Sequence, residues 1–265
     1  NAWFNSWWNR DGDVMILEFS GGKDSLVVLH KYRDQIKTVI FADTGSVFPH
    51  CVEFVERTCE KYELPLVKVR SPISVLDWTD AMGLPSDTTV FRAPNPKNDI
   101  GLQSVEKCCG EMIWKPMHNY MITIGAKIVL RGQKASDHHV SLGAEFDCDG
   151  IHFVNPLWDW TDDDVFNYIN EHDLEIAEHY NEINESLDCW NCTAHLSHKG
   201  ASKRLSYTKK RYPELWKILS KKLSFVKRTL LREQEILDES FDMVPLYDSV
   251  KQHQEWRSME KTHGN

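Results

Sequence analysis

The stretch that most constrains this chain runs from Met15 to Leu29. An apolar segment, MILEF, ends in Ser20-Gly21-Gly22-Lys23-Asp24-Ser25, and apolar residues then resume as LVVL. The first run reads as a buried strand and the second as the opening of a helix. Two glycines between them permit a tight backbone turn and let a ligand approach with no Cβ in the way. Several amide N–H groups can then face one anion, and the helix adds its positive dipole end. The expectation is a phosphate cradle in which Lys23 neutralises phosphate charge. Ser20, Ser25 and Asp24 supply hydroxyl contacts or hold a divalent metal, Mg2+. The GxxxxGK[ST] spacing of a Walker A loop is absent.

A second buried strand, Thr38 to Ala42, is closed by Asp43-Thr44-Gly45. Strand, helix and strand at this spacing form a right-handed parallel unit whose ligands gather at the carboxyl ends of the strands. Asp43 is therefore expected beside Ser20. A helix over 50–62 leads to a third strand, Leu66 to Arg70. A fourth, Lys127 to Arg131, ends in Gly132-Gln133-Lys134, so Arg131, Gly132 and Lys134 are candidate contacts for phosphate or sulfate. Residues 151–154 form a short strand. Thr161, Asp162 and Asp164 then read as the start of a helix, Asp162 to Glu171. Ser71 to Asp99, with Pro72, Pro85, Pro94 and Pro96, reads as a lid or substrate loop whose cations are Arg92 and Lys97.

Residues 3–13 hold three tryptophans, expected to pack at the edge of the core. From Ser197 the composition turns basic and helical in period, with Leu215, Ile218, Leu219, Leu223, Val226, Leu230 and Leu231 on one broad face. A short helix over Leu246 to Lys261 would follow. The expected organisation is a nucleotide-binding domain over 1–200 and a helical extension over 201–265.

A chain of 265 residues, 41% hydrophobic and 27% charged, can bury a full α/β core. Its net charge of -9 argues against broad nucleic-acid binding. It carries no apolar run of membrane-spanning length, and no secretory leader is read in it. Seven scattered cysteines favour a reducing cytoplasm over a disulfide framework. Cys51, Cys59 and Cys148 read as ordinary small residues. Cys108-Cys109 and Cys189-x-x-Cys192 are paired, as a metal centre requires. Taken alone, the CxxC with His195 and His198 would suggest zinc.

The Ser20–Ser25 loop resembles that of the N-type ATP pyrophosphatases, a superfamily that includes the sulfonucleotide (APS and PAPS) reductases, thiouridine synthetases and the nucleotide-binding proteins of DNA phosphorothioation. The stretch FADTGSVFPHCVEF resembles the second shared motif of the sulfonucleotide reductases. NPLWDWTDDDVFNYINEHDL, then Tyr180 and DCWNCTAH, are similar to the corresponding run of the assimilatory APS reductases. The likeness covers about residues 14 to 195. It implies an α/β fold with a Rossmann-like parallel sheet of the adenine nucleotide α-hydrolase type and a C-terminal helical appendage. It also implies that Cys108, Cys109, Cys189 and Cys192 hold a [4Fe-4S] cluster, with zinc as the alternative.

The chain departs from the reductase pattern in three places. The family's catalytic cysteine lies in an ECGLH-like tail, and no cysteine follows Cys192 within these 265 residues. The pattern CCxxRKxxPL would put Arg and Lys where Met112 and Ile113 stand, and Lys115 lies about 200° round a helix from Ile113. Lys134 stands where an arginine is common, and lacks the bidentate fork.

The implied function is that of a PAPS reductase-like adenine-nucleotide enzyme of the ATP pyrophosphatase type. Lys23, Asp24 and Asp43 would be catalytic, and a substrate would be adenylylated for sulfur transfer. A sulfur-donor protein and a nucleic-acid acceptor would be its partners, and a homo-oligomer is compatible with the sequence. One alternative is an APS or PAPS reductase whose thiol comes from elsewhere. Another is a nucleotide-binding subunit without catalysis.

Overall fold

In the computed structural model, which describes residues 14–86, 102–137, 143–183, 185–187, 189–194, 196 and 200–240, the apolar runs become a six-stranded sheet. Its chain-order elements begin β1 (Met15–Glu18), α1 (Lys23–Tyr32), β2 (Thr38–Ala42), α2 (Pro49–Lys61) and β3 (Leu66–Val69). Past the small elements described below come β6 (Ile128–Leu130), β7 (Glu145–Cys148), β8 (Ile151–Val154) and α6 (Asp162–Glu171). The strand order is β3-β2-β1-β6-β8-β7, parallel except for the edge strand β7. This is the Rossmann-like α/β sheet expected.

Alternation along β1 explains the two layers. Leu17 and Phe19 face a core with Leu26 and Leu29 of α1, Phe54 of α2 and Val165 of α6, while Ile16 faces Ile40, Val129, Met117 and Met121. Leu17 has no exposed surface. Leu17→Ala is therefore expected to lower unfolding stability by about 2–5 kcal/mol, read as a reduced urea midpoint at unchanged slope. Because the chain winds outward from β1 through β2 to β3, and β6 lies on the other flank, the strand order reverses between β1 and β6. Ligands of open α/β sheets gather at such a reversal, beyond the strands' carboxyl ends.

The stretch read as a lid is regular in its first part. Ser74 accepts a hydrogen bond from the Asp77 amide (3.1 Å) and caps α3 (Val75–Met82), and β4 (Leu84–Ser86) then pairs with β5 (Leu102–Ser104). Prolines at 72 and 85 suggested a loop, yet they fall before the cap and in a two-stranded pair, where no long ladder is broken. Arg92 and Lys97 lie outside the described residues, as do the tryptophans of 3–13, the segment 246–261, His195 and His198.

The cysteine pair closes a short helix. Ser104 caps α4 (Val105–Cys109), a π-helical turn spans Gly110–Trp114, and α5 (Lys115–Thr123) follows. Pro116 has no N–H for the carbonyl four residues back and its ring crowds that carbonyl, which a widened turn relieves.

The basic tail forms α7 (Ala201–Arg211) and α8 (Pro213–Ser240), divided where Pro213 starts the second helix. Only part of the predicted apolar face is covered. Leu219 and Val226 are buried, whereas Ile218, Leu230 and Leu231 are exposed. Leu219 and Tyr207 share a cluster with Phe48, Cys51, Ile183 and Trp190, which packs the tail against the start of α2. Among the described residues no helix is long and apolar enough to cross a membrane.

Candidate functional site

The loop between β1 and α1 takes the turn its glycines permit. Gly21 has φ +80°, and a Cβ there would stand 2.9 Å from Val55 Cγ2 of α2. Ser25 Oγ donates to the Gly22 carbonyl (3.1 Å) and lies 3.2 Å from Ser20 Oγ. The Lys23 amide donates to the hydroxyl of Tyr180 (3.1 Å), which also contacts Ser186 Oγ (3.1 Å). Gly132, beyond β6, lies against this loop so closely that a Cβ would be 2.5 Å from the Ser25 nitrogen.

Two buried lysines converge here. Lys23 Nζ is 3.0 Å from both carboxylate oxygens of Asp24 and 2.6 Å from Asp162 Oδ1. Lys134 Nζ, 3% exposed, is 2.6 Å from Asp24 Oδ1, 3.2 Å from Asp137 and 3.4 Å from Asp162. Burial opposes the Lys134 charge, but its hydrogen bond and charge pairing with Asp24, together with Asp137, outweigh that and hold its pKa above the ordinary lysine value. The hydrogen bond from Lys23, aided by the charges of both lysines, outweighs burial and keeps the Asp162 carboxyl below the usual range. Asp162 was read from sequence as a helix-start residue. Thr161 and Asp164 fulfil that role through a capping box, which leaves the Asp162 side chain to reach Lys23.

Asp43 is buried at the end of β2, where Arg70 Nε donates to Oδ2 (2.9 Å) and the Gly45 amide to Oδ1 (3.0 Å). Gly45 has φ +71°, the left-handed turn that Asp-Thr-Gly favours. Arg131, expected to meet phosphate, pairs with Glu18 (2.9 Å). Lys115 pairs with Glu111 (2.6 Å) along its own helix.

The loop after β2 also anchors the CxxC. Val47 bridges to Cys189, the Trp190 amide donates to the Ser46 carbonyl (2.7 Å), and Thr44 Oγ1 is 3.1 Å from Cys189 Sγ. From the other side, Arg204 of α7 donates to the Cys189 carbonyl (2.9 Å). Thr193 Oγ1 donates to the Pro85 carbonyl (2.7 Å) in β4, whose partner β5 leads into Cys108. Burial first, and then the charge of Cys192, push the Cys108 thiol up to about 12. Cys108 and Cys192, one from each pair, are thus within electrostatic reach of each other. Ser46 Oγ and both side-chain polar atoms of Asn191, which lies inside the CxxC, are buried without a hydrogen-bond partner. The Ser46 hydroxyl and the Asn191 Nδ2 amide are donors that suit sulfur acceptors.

The phosphoadenosine phosphosulfate reductase domain matches residues 14–195. The chain belongs to this family. It is 26% identical over 189 residues to adenosine 5'-phosphosulfate reductase of Salinibacter ruber, covering 69% of this chain and 68% of that one. Phosphoadenosine 5'-phosphosulfate reductase of Alkalilimnicola ehrlichii is 29% identical over 165 residues, 60% of this chain and 62% of the relative. The crystal structure of PAPS reductase from Candida auris in a phosphate complex aligns with TM-score 0.49 and 21% identity, over 69% of this chain and 85% of that one.

Within this PAPS reductase family member, sequence reasoning missed four participants. Asp162 was assigned to capping, Tyr180 was noted only as part of a resemblance, and Arg70 and Asp137 carried no motif. Asp162, Tyr180 and Arg70 act across folds of the backbone, whereas Asp137 meets Lys134 three residues away. Asp162 is 139 residues from Lys23, a separation at which no local pattern signals contact.

Proposed function

We propose that this member of the PAPS reductase family binds an adenine nucleotide with its phosphate tail between Ser20–Ser25 and Lys134, and that the nucleotide is Mg2+–ATP. The observation that carries this reading is the cluster at the β1/β6 reversal. Two ammonium groups, Lys23 and Lys134, meet three carboxylates, Asp24, Asp137 and Asp162. The surplus of negative charge disfavours a bare polyanion and favours one that brings a dication, for which Asp24 and Asp162 offer hard oxygen ligands. Lys23, Lys134 and the loop amides then neutralise and orient the phosphates. An attacking substrate oxygen forms a bond to the α-phosphorus as the bond to pyrophosphate breaks. Pyrophosphate leaves with that bonding pair, its charge offset by the lysines. Asp43, held by Arg70, orients the nucleotide from β2.

Cys108, Cys109, Cys189 and Cys192 are the residues that would hold a [4Fe-4S] cluster, and the partnerless Asn191 amide and Ser46 hydroxyl support that fit. Such a group would supply electron or sulfur-carrying chemistry beside the nucleotide. The acceptor is then a substrate thiolated after adenylylation. A second reading, sulfonucleotide reduction with a thiol from another chain, is favoured by the names of the curated relatives.

Incubation with Mg2+–ATP distinguishes the two. Pyrophosphate release supports adenylylation, while thiol-dependent sulfite release from APS or PAPS, with ATP inert, overturns it. Anaerobically reconstituted protein should carry iron and acid-labile sulfide, and Cys108→Ser should lose both while still binding nucleotide. Tyr180→Phe leaves the buried Lys23 amide without its acceptor, an expected loss of about 1–3 kcal/mol. Saturating nucleotide should restore part of it, so thermal unfolding with and without Mg2+–ATP should give a larger ligand-induced shift in the variant.

A further inference from the structure

Cys51 was read from sequence as an ordinary core residue, and neither histidine beside it belonged to any motif. The fold joins them. His50 and Cys51 lie in the first turn of α2, and His179 lies in the 3-10 turn Glu178–Asn181. His50 Nε2 is 3.1 Å from His179 Nδ1 and 3.3 Å from Cys51 Sγ, and Cys51 Sγ is 3.8 Å from His179 Nδ1. Cys51 and His179 are buried.

We propose that His50 Nε2, Cys51 Sγ and His179 Nδ1 bind a zinc-type divalent ion, at a site distinct from the four paired cysteines. Ligand atoms of a tetrahedral zinc, about 2.0–2.1 Å away for nitrogen and 2.3 Å for sulfur, stand roughly 3.3–3.6 Å from one another. The three separations here bracket that spacing. A hydrogen bond needs two of these atoms, and the convergence of a third on the same point is what a metal requires. The hydroxyl of Tyr212 lies 2.6 Å from His50 Nδ1, the outer partner that fixes the tautomer of a ligating imidazole and leaves Nε2 for the ion. Two nitrogens and a thiolate suit zinc by ligand softness, and binding releases the thiol proton to solvent. Water completes the coordination.

The position gives the ion a task. Tyr212 lies between α7 and α8, so the site fastens the helical tail to α2. His179 precedes Tyr180, whose hydroxyl takes the Lys23 amide in the phosphate loop. The ion is a positioning device for that tyrosine.

Crystals of the protein equilibrated with zinc chloride, measured at the zinc absorption edge, test the assignment. An anomalous peak within bonding distance of His50 Nε2, Cys51 Sγ and His179 Nδ1 is expected, and its absence at saturating zinc overturns the proposal. In solution, competition with a chromophoric chelator should find one equivalent of zinc per chain fewer in His50→Ala than in the wild type. Equal stoichiometry in a folded variant overturns it. Should His50→Ala not fold, the diffraction experiment on the unaltered protein decides.

Discussion

Gly132→Ala is expected to abolish adenine-nucleotide binding and to lower stability by about 1–3 kcal/mol, the usual penalty for forcing an atom into a packed site. The magnitude follows from what the new methyl group would meet. Its nearest neighbours are the Ser25 nitrogen at 2.5 Å and the Asp24 carbonyl carbon and Ser25 Cα at 2.8 Å. These are backbone atoms at the start of α1, and no rotamer change can move them aside. Relief requires the loop after β6 and the phosphate loop to separate, which carries Lys134 away from Asp24 and opens the cradle. Isothermal titration with Mg2+–ATP reads the binding loss, and urea denaturation reads the stability. Gly110→Ala is the control, because its added Cβ meets nothing nearer than Trp114 Cε3 at 3.9 Å. In that helical setting alanine should be neutral or stabilising by about 0.5–1 kcal/mol. Nucleotide affinity unchanged in a folded Gly132→Ala protein would remove the loop from the binding site.

Lys23→Ala carries the second large effect. A hydrogen bond from a charged donor contributes about 1.5–3 kcal/mol, so the loss of Lys23 should weaken nucleotide binding by roughly 10- to 150-fold. Lys134→Ala should weaken it comparably and also destabilise the unliganded fold, since Asp24 and Asp137 then lose a buried counter-charge. Breaking a buried pair costs about 3–5 kcal/mol at most, and the part-exposed Asp137 brings the expected loss below that range. The two lysines share Asp24, so their effects should be non-additive in a double-mutant cycle.

The sign of the pH dependence also follows. Asp162 has a folded-state pKa below its ordinary value of 3.8, principally through Lys23. Its pairing therefore adds stability above that value, and the contribution is lost as pH falls through the depressed one. The acid limb of the stability curve below about pH 4 should be flatter in Lys23→Ala than in the wild type. An identical acid limb would show that the ion pair is not formed in solution.

How far the chain could be read depends on the range of each interaction. The strands 38–42 and 151–154 and the helix 162–171 were legible to the residue, because apolar periodicity and caps act between near neighbours. The antiparallel strand β7 was not. Its side chains are exposed or half-covered, so it lacks the apolar pattern that marks a buried strand. Likewise Asp162 carries a capping signal and a site role in the same side chain. Only the packing of α6 against α1 decides which one it takes.

The glycine turn after β1, the parallel sheet and the family were legible in the chain alone, since each rests on short runs whose chemistry is complete within a few residues. Lys134 was a candidate from sequence, but only the tertiary structure joined it and Asp162 to the Lys23–Asp24 pair. That structure alone tied the CxxC segment to β4 through the Thr193–Pro85 hydrogen bond, and set His179 against His50 and Cys51. The physical reason is that charge pairing and ligand convergence depend on distance in space. Residues more than a hundred positions apart leave no periodic trace of it in the chain.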